Sequence, residues 1–144
     1  MLAGHTATVV PLAFAHGLLV SGGNDKTVRV WDLAAGTSRA HAGHRTLVRR
    51  VAVGPDGAFV VSSGNDETIR IWDLRDGSSG AIAGHAGAVA YIALAPDGKL
   101  LASAGQDGTV RLWDLAGRAH VPADPARLAR WLDEATAAQL DDVQ

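Results

Sequence analysis

One stretch occurs three times at a fixed interval, and it limits the possible folds more than any other feature. It reads Ser21-Gly22-Gly23-Asn24-Asp25-Lys26-Thr27-Val28-Arg29-Val30-Trp31-Asp32, and it returns with closely related residues over 62–73 and 103–114. Its tryptophans, Trp31, Trp72 and Trp113, stand 41 residues apart. A constant period of this length marks an architecture in which one supersecondary unit is stacked on the next.

The unit can be read from its punctuation. Each copy opens on Gly-His (Gly4-His5, Gly43-His44, Gly84-His85) and continues into an apolar run over 9–14, 48–53 or 89–94. Apolar residues fall at the first, fourth and sixth places of that run, which predicts a short strand bulged near its start. Pro55-Asp56-Gly57 and Pro96-Asp97-Gly98 then signal hairpins; the first copy has only Ala15-His16-Gly17 there. A second strand is predicted over 18–21, 58–62 and 99–103, then a tight turn through Asn24-Asp25, Asn65-Asp66 or Gln106-Asp107. The glycines at this turn (Gly22, Gly23, Gly64, Gly105) are read as supplying hairpin geometry. The third strand alternates and ends on Trp-Asp. A weaker fourth is expected over 37–40, 78–82 and within 115–121.

Four short antiparallel strands per unit, with a turn signal about every ten residues, make one propeller blade. The expected fold class is therefore all-β: an open arc of three four-stranded blades, about 4–42, 43–83 and 84–121. Pro11 marks its strand as an edge. Pro122-Ala123-Asp124-Pro125 stops the pattern. A linker and one amphipathic helix follow within 122–144, with Asp124 as N-cap and Pro125 as first helical residue. Leu128, Trp131, Leu132 and Ala135 form its apolar stripe. The stripe is read as a cap on the chain's own open blade, with binding to another chain as the alternative.

Composition removes several classes. The 144 residues carry a formal net charge of −2, which argues against an electrostatic nucleic-acid binder. Cysteine is absent, so disulfides and thiolate metal sites are excluded. The apolar stretch over 9–20 is too short to cross a bilayer, so no membrane partner is expected and the compartment is read as cytoplasmic. Eleven arginines against two lysines suggest GC-rich coding and a bacterial source.

Gly-His, a turn aspartate and Trp-Asp at this period resemble the WD-repeat β-propeller family over residues 4–121. The resemblance implies one hydrogen-bonded tetrad per blade: His5, Ser21, Asp25 and Trp31; His44, Ser62, Asp66 and Trp72; His85, Ser103, Asp107 and Trp113. Elementary chemistry points the same way. A buried indole N–H needs an acceptor, a serine hydroxyl supplies one and donates onward to an imidazole, and the imidazole donates to a carboxylate. The resemblance also implies a partner-facing rim, mapped here to Asn24, Leu47, Arg49, Asn65 and Gln106, with Thr8, Val10, Ala88 and Ala90 beside them. It implies a non-catalytic scaffold for protein partners, or the sensing segment of a larger bacterial signalling protein with kinase, NTPase or protease-like parts.

Other chemistry is weaker. Ser, His and Asp together suggest a catalytic triad, but each set carries a tryptophan to occupy its serine, and no strained elbow accompanies it. His41 and His44 lack a third metal ligand. The glycine-rich turns lack the lysine and helix of a phosphate cradle. Arg45, Arg49 and Arg50 form the one basic cluster. No cofactor, metal or enzymatic activity is expected; the less favoured alternative is an enzyme built on a propeller, which would need acidic or histidine ligands converging on the channel. Closed propellers have four to eight blades, so three leave two apolar end faces. The expected resolutions are a homo-oligomer, a helical cap, or membership of a longer propeller.

Overall fold

The computed structural model describes residues 1–116 and 121–122. The expected helix, with Leu128, Trp131, Leu132 and Ala135, lies outside the described residues. What is described is all-β, in three four-stranded antiparallel sheets. The first comprises β1 (Val9–Ala15), β2 (Leu18–Gly23), β3 (Thr27–Asp32) and β4 (Thr37–Ala42). The second comprises β5 (Val48–Val53), β6 (Phe59–Gly64), β7 (Thr68–Asp73) and β8 (Ser79–Ala83), and the third β9 (Val89–Leu94), β10 (Leu100–Gly105), β11 (Val110–Asp114) and β12 (Val121–Pro122). Each sheet is a meander in chain order.

The first strand of every sheet carries the bulge its spacing predicts. Register shifts between Val9 and Leu12, between Val48 and Arg50, and opposite Ala104 and Gly105. Pro11 falls in the first of these irregularities, on an edge strand, where its missing N–H breaks no ladder. The Pro-Asp-Gly turns close by Gly57 N–H to Gly54 O and Gly98 N–H to Ala95 O, both 2.9 Å. Their glycines adopt φ of 67° and 70°, which a side chain would resist.

Two expectations need correction. The fourth strand of the first sheet runs on to Ala42, because His41 pairs with Val28 in the ladder. Pro122 does not stop the third sheet: it pairs with Trp113 on the outermost strand, where a proline is tolerated.

Period-two alternation gives each sheet two apolar faces. In the second sheet Val60 pairs with Trp72 on one face, and Val61 with Ile71 on the other. The tryptophan-bearing face, called the front, packs on the back of the preceding sheet. Val48, Val60 and Trp72 thus join Val20 and Val28 in one core. Val89, Leu101 and Trp113 join Val61, Ile69, Ile71 and Ile82 in the other.

Candidate functional site

Each sheet contains one hydrogen-bonded cluster at the junction of its first three strands. Ser21, Ser62 and Ser103 lie near the ends of β2, β6 and β10, paired with the arginine two residues before each tryptophan. The serine side chain therefore shares the core-facing side with the indole of the next strand. Trp31, Trp72 and Trp113 each donate Nε1–H to the serine Oγ at 2.8 Å. The hydroxyl in turn donates to a histidine Nε2: 2.8 Å to His5, 2.8 Å to His44 and 2.7 Å to His85. The opposite ring nitrogen, Nδ1, donates to Asp25 at 2.8 Å, to Asp66 at 3.0 Å and to Asp107 at 3.0 Å.

The aspartate has more to do than accept from histidine. It also takes the backbone N–H of the residue after the histidine, from Thr6 at 2.9 Å, Arg45 at 2.7 Å and Ala86 at 3.0 Å. A threonine two residues downstream adds its hydroxyl at 2.8 Å in all three sheets: Thr27, Thr68 and Thr109. Burial pushes the Asp66 carboxyl up, but the Arg45 N–H, the Thr68 hydroxyl and His44 outweigh it and hold it below the ordinary carboxylate range. Asp25 is lowered in the same way, by Thr6, Thr27 and His5 against burial. Asp107 is lowered chiefly by the Ala86 N–H, with Thr109 and His85 adding to it against burial. For His44, burial pushes the pKa down and prevails over the pull of Asp66, with Arg70 assisting. The pair is thus a neutral imidazole bonded to a carboxylate.

Three features of the cluster escape sequence reasoning. The threonines are the first, although their recurrence two places after each aspartate is a visible signal. The arginines are the second: Arg29 and Arg70 lie 5.7 Å and 5.4 Å from the ring centroids of Trp31 and Trp72. The third is the reason for the glycines. A Cβ at Gly64 would stand 2.7 Å from both His44 Nδ1 and Asp66 Oδ1, and Gly23 and Gly105 are crowded by the same pair in their own sheets. These glycines therefore admit the His–Asp pair. Gly22, for its part, would press on Val48 and Pro11. The left-handed residue of the turn comes later, at Lys26 (φ 69°), Glu67 (φ 66°) and Gly108 (φ 76°).

The serines are 0–2% exposed and already engaged on both sides, so none is placed to attack a substrate. His41 and His44 both face Trp72, at 5.7 Å and 6.2 Å between ring centroids. Among the described residues no group of three or more His, Cys, Asp or Glu could hold a metal ion. No helix among them is long and apolar enough to cross a membrane.

The rim residues gather at the same end of each sheet. Backbone bonds join Asn24 to Thr8 at 2.8 Å, Asn65 to Leu47 at 3.1 Å and Gln106 to Ala88 at 2.9 Å. Asn24 and Gln106 are exposed, whereas Leu47, Arg49 and Asn65 are partly buried. Arg49 donates Nε–H to the Asn65 side-chain carbonyl, so these two act as one unit. Arg50 turns away to lie over Tyr91, 4.3 Å from its ring centroid.

Comparison with known proteins agrees with this geometry. The WD40 family, described as WD domain, G-beta repeat, matches residues 1–32, 36–73 and 78–114. The chain is also similar to Cell division control protein 4 of Saccharomyces cerevisiae, 48% identical over 50 residues. That match covers 33% of this chain and 6% of the yeast protein.

Proposed function

The chain belongs to the WD-repeat family, and from that premise we propose that it is a non-catalytic scaffold segment that presents its rim to a protein partner. WD repeats generally serve protein interaction. The observation that supports this reading is the threefold repetition of a satisfied cluster. Serine, histidine and aspartate are all consumed in internal bonds, which rigidifies the blade and leaves the turn residues above it to make contact. Arg49, bonded to Asn65, is the charged group among the rim residues, with Asn24 and Gln106 on the flanking blades. The proposed organisation is three blades, about 4–42, 43–83 and 84–121, acting in an assembly with a second copy or with further blades.

Photo-crosslinking in cells tests the reading. A crosslinker at position 49 or 106 is expected to trap a discrete protein, and one at Arg75, on an outer turn, is not. Equal trapping at both places, or none at either, overturns it.

A further inference from the structure

The chain builds the same joint twice and carries both halves of a third. The joint seats a front face on a back face. On the front side Val48 and Val89 are fully buried, and Val60 and Leu101 stand beside their tryptophans. The first sheet repeats that face with Val9 and with Leu19 beside Trp31. Yet Val9 is 42% exposed, and Leu12 and Phe14, which match Val51 and Val53, are 64% and 68% exposed. A groove of about 290 Å³ lies on this face, lined by Val9, Leu12 and Leu19 together with Leu2 and Ala3; Trp31 within it is 6% exposed, so the open part of the face is the Val9, Leu12 and Phe14 row.

The other half stands on the third sheet. Val28 and Ile69, on the backs of the first and second sheets, are 0% and 1% exposed; Val110 occupies the same place and is 74% exposed. Ala102 and Leu112 pair there as Val61 and Ile71 do in the sheet before. Large apolar faces of this kind mark docking surfaces.

We propose that the front of the first sheet docks on the back of the third sheet of a second copy, head to tail, through the joint the chain already makes internally. This rests on the scaffold reading above and identifies one of its partners. A second copy is the fitting occupant because it brings the complementary half in the same β-branched and aromatic chemistry. Two such joints close two chains into a ring of six sheets, within the four-to-eight range of closed propellers.

Sedimentation of the chain and of two variants tests the geometry. The unaltered chain is expected at twice the chain mass. Leu12→Glu disables only the front and Val110→Glu only the back; both sites are exposed, so each monomer keeps its fold. Head-to-tail docking makes each variant monomeric alone and makes their mixture dimeric through the one intact joint, which also shows that both are folded. A Val110→Glu variant that still pairs with itself indicates front-to-front contact and overturns the proposal. So does a monomeric parent chain, the result expected if the 125–140 segment or another blade covers the front. Partner crosslinking at Arg49 in such a monomer leaves the scaffold reading standing.

Discussion

Trp72 is where most of the middle blade converges. Its indole is 2% exposed, bonds Ser62, lies near His44 and His41 and is flanked by Arg70. Trp72→Phe removes the Nε1–H and part of the packing, and is expected to cost about 1–3 kcal/mol in chemical denaturation. A neighbouring residue has the opposite sign. Ser63 is fully buried and its hydroxyl has no partner, while the first and third copies place Gly22 and Ala104 there. Ser63→Ala is expected to stabilise the chain by about 1 kcal/mol, read as a raised denaturation midpoint. His41 is a third case. It is 8% exposed, its Nε2 is unpartnered, and its register position belongs to Ile82 in the next sheet.

These groups also set the acid limb of stability. Burial, with Arg39 assisting, lowers His41 below its ordinary 6.5, as burial lowers His44. The unfolded chain therefore takes up these protons first. Their contribution is complete above pH 6.5 and declines as pH falls below it. Asp25, Asp66 and Asp107 are lowered from 3.8. Their contribution is complete above that value and disappears as pH falls through the lower native values. Melting temperature is expected to fall in two stages on acidification. His41→Ile should raise it and shrink the first stage; Asp66→Asn should shrink the second. An acid limb unchanged by either variant would contradict the assignment.

At the scale of the element, the instructive piece is the turn after the tetrad aspartate. The residue that bends it is left-handed in every sheet, yet only the third copy uses glycine. A Cβ at Gly108 would meet nothing within 4 Å, so Gly108→Ala isolates the backbone cost, expected at about 1–2 kcal/mol. Glu67→Gly relieves the same conformation and is expected to be neutral or mildly stabilising, since added freedom in the unfolded chain offsets part of the gain. Thermal melts of the two variants side by side measure the difference. The strands themselves were legible from residue order, because alternation and Pro-Asp-Gly signals act over a few residues. The work of Gly23, Gly64 and Gly105 was not legible. What crowds them is the aspartate two residues later together with a histidine about twenty residues earlier in the chain, and local pattern carries no record of the histidine's approach.

For the whole molecule, head-to-tail pairing predicts that apparent melting temperature rises with protein concentration, since association stabilises only the folded form. Leu12→Glu should abolish that dependence. What residue order alone determined is the unit: its period, its four strands, its bulge and the chemistry each blade repeats. Those follow from interactions within one meander, which recur wherever the same residues recur. Residue order implied two uncovered end faces; only the tertiary structure decided which side chains lie on them. Val9, Val48 and Val89 are identical residues at identical places in the repeat, and two are buried while one is not. Burial depends on whether a sheet stands in front, and that is a property of the stack which no single repeat contains.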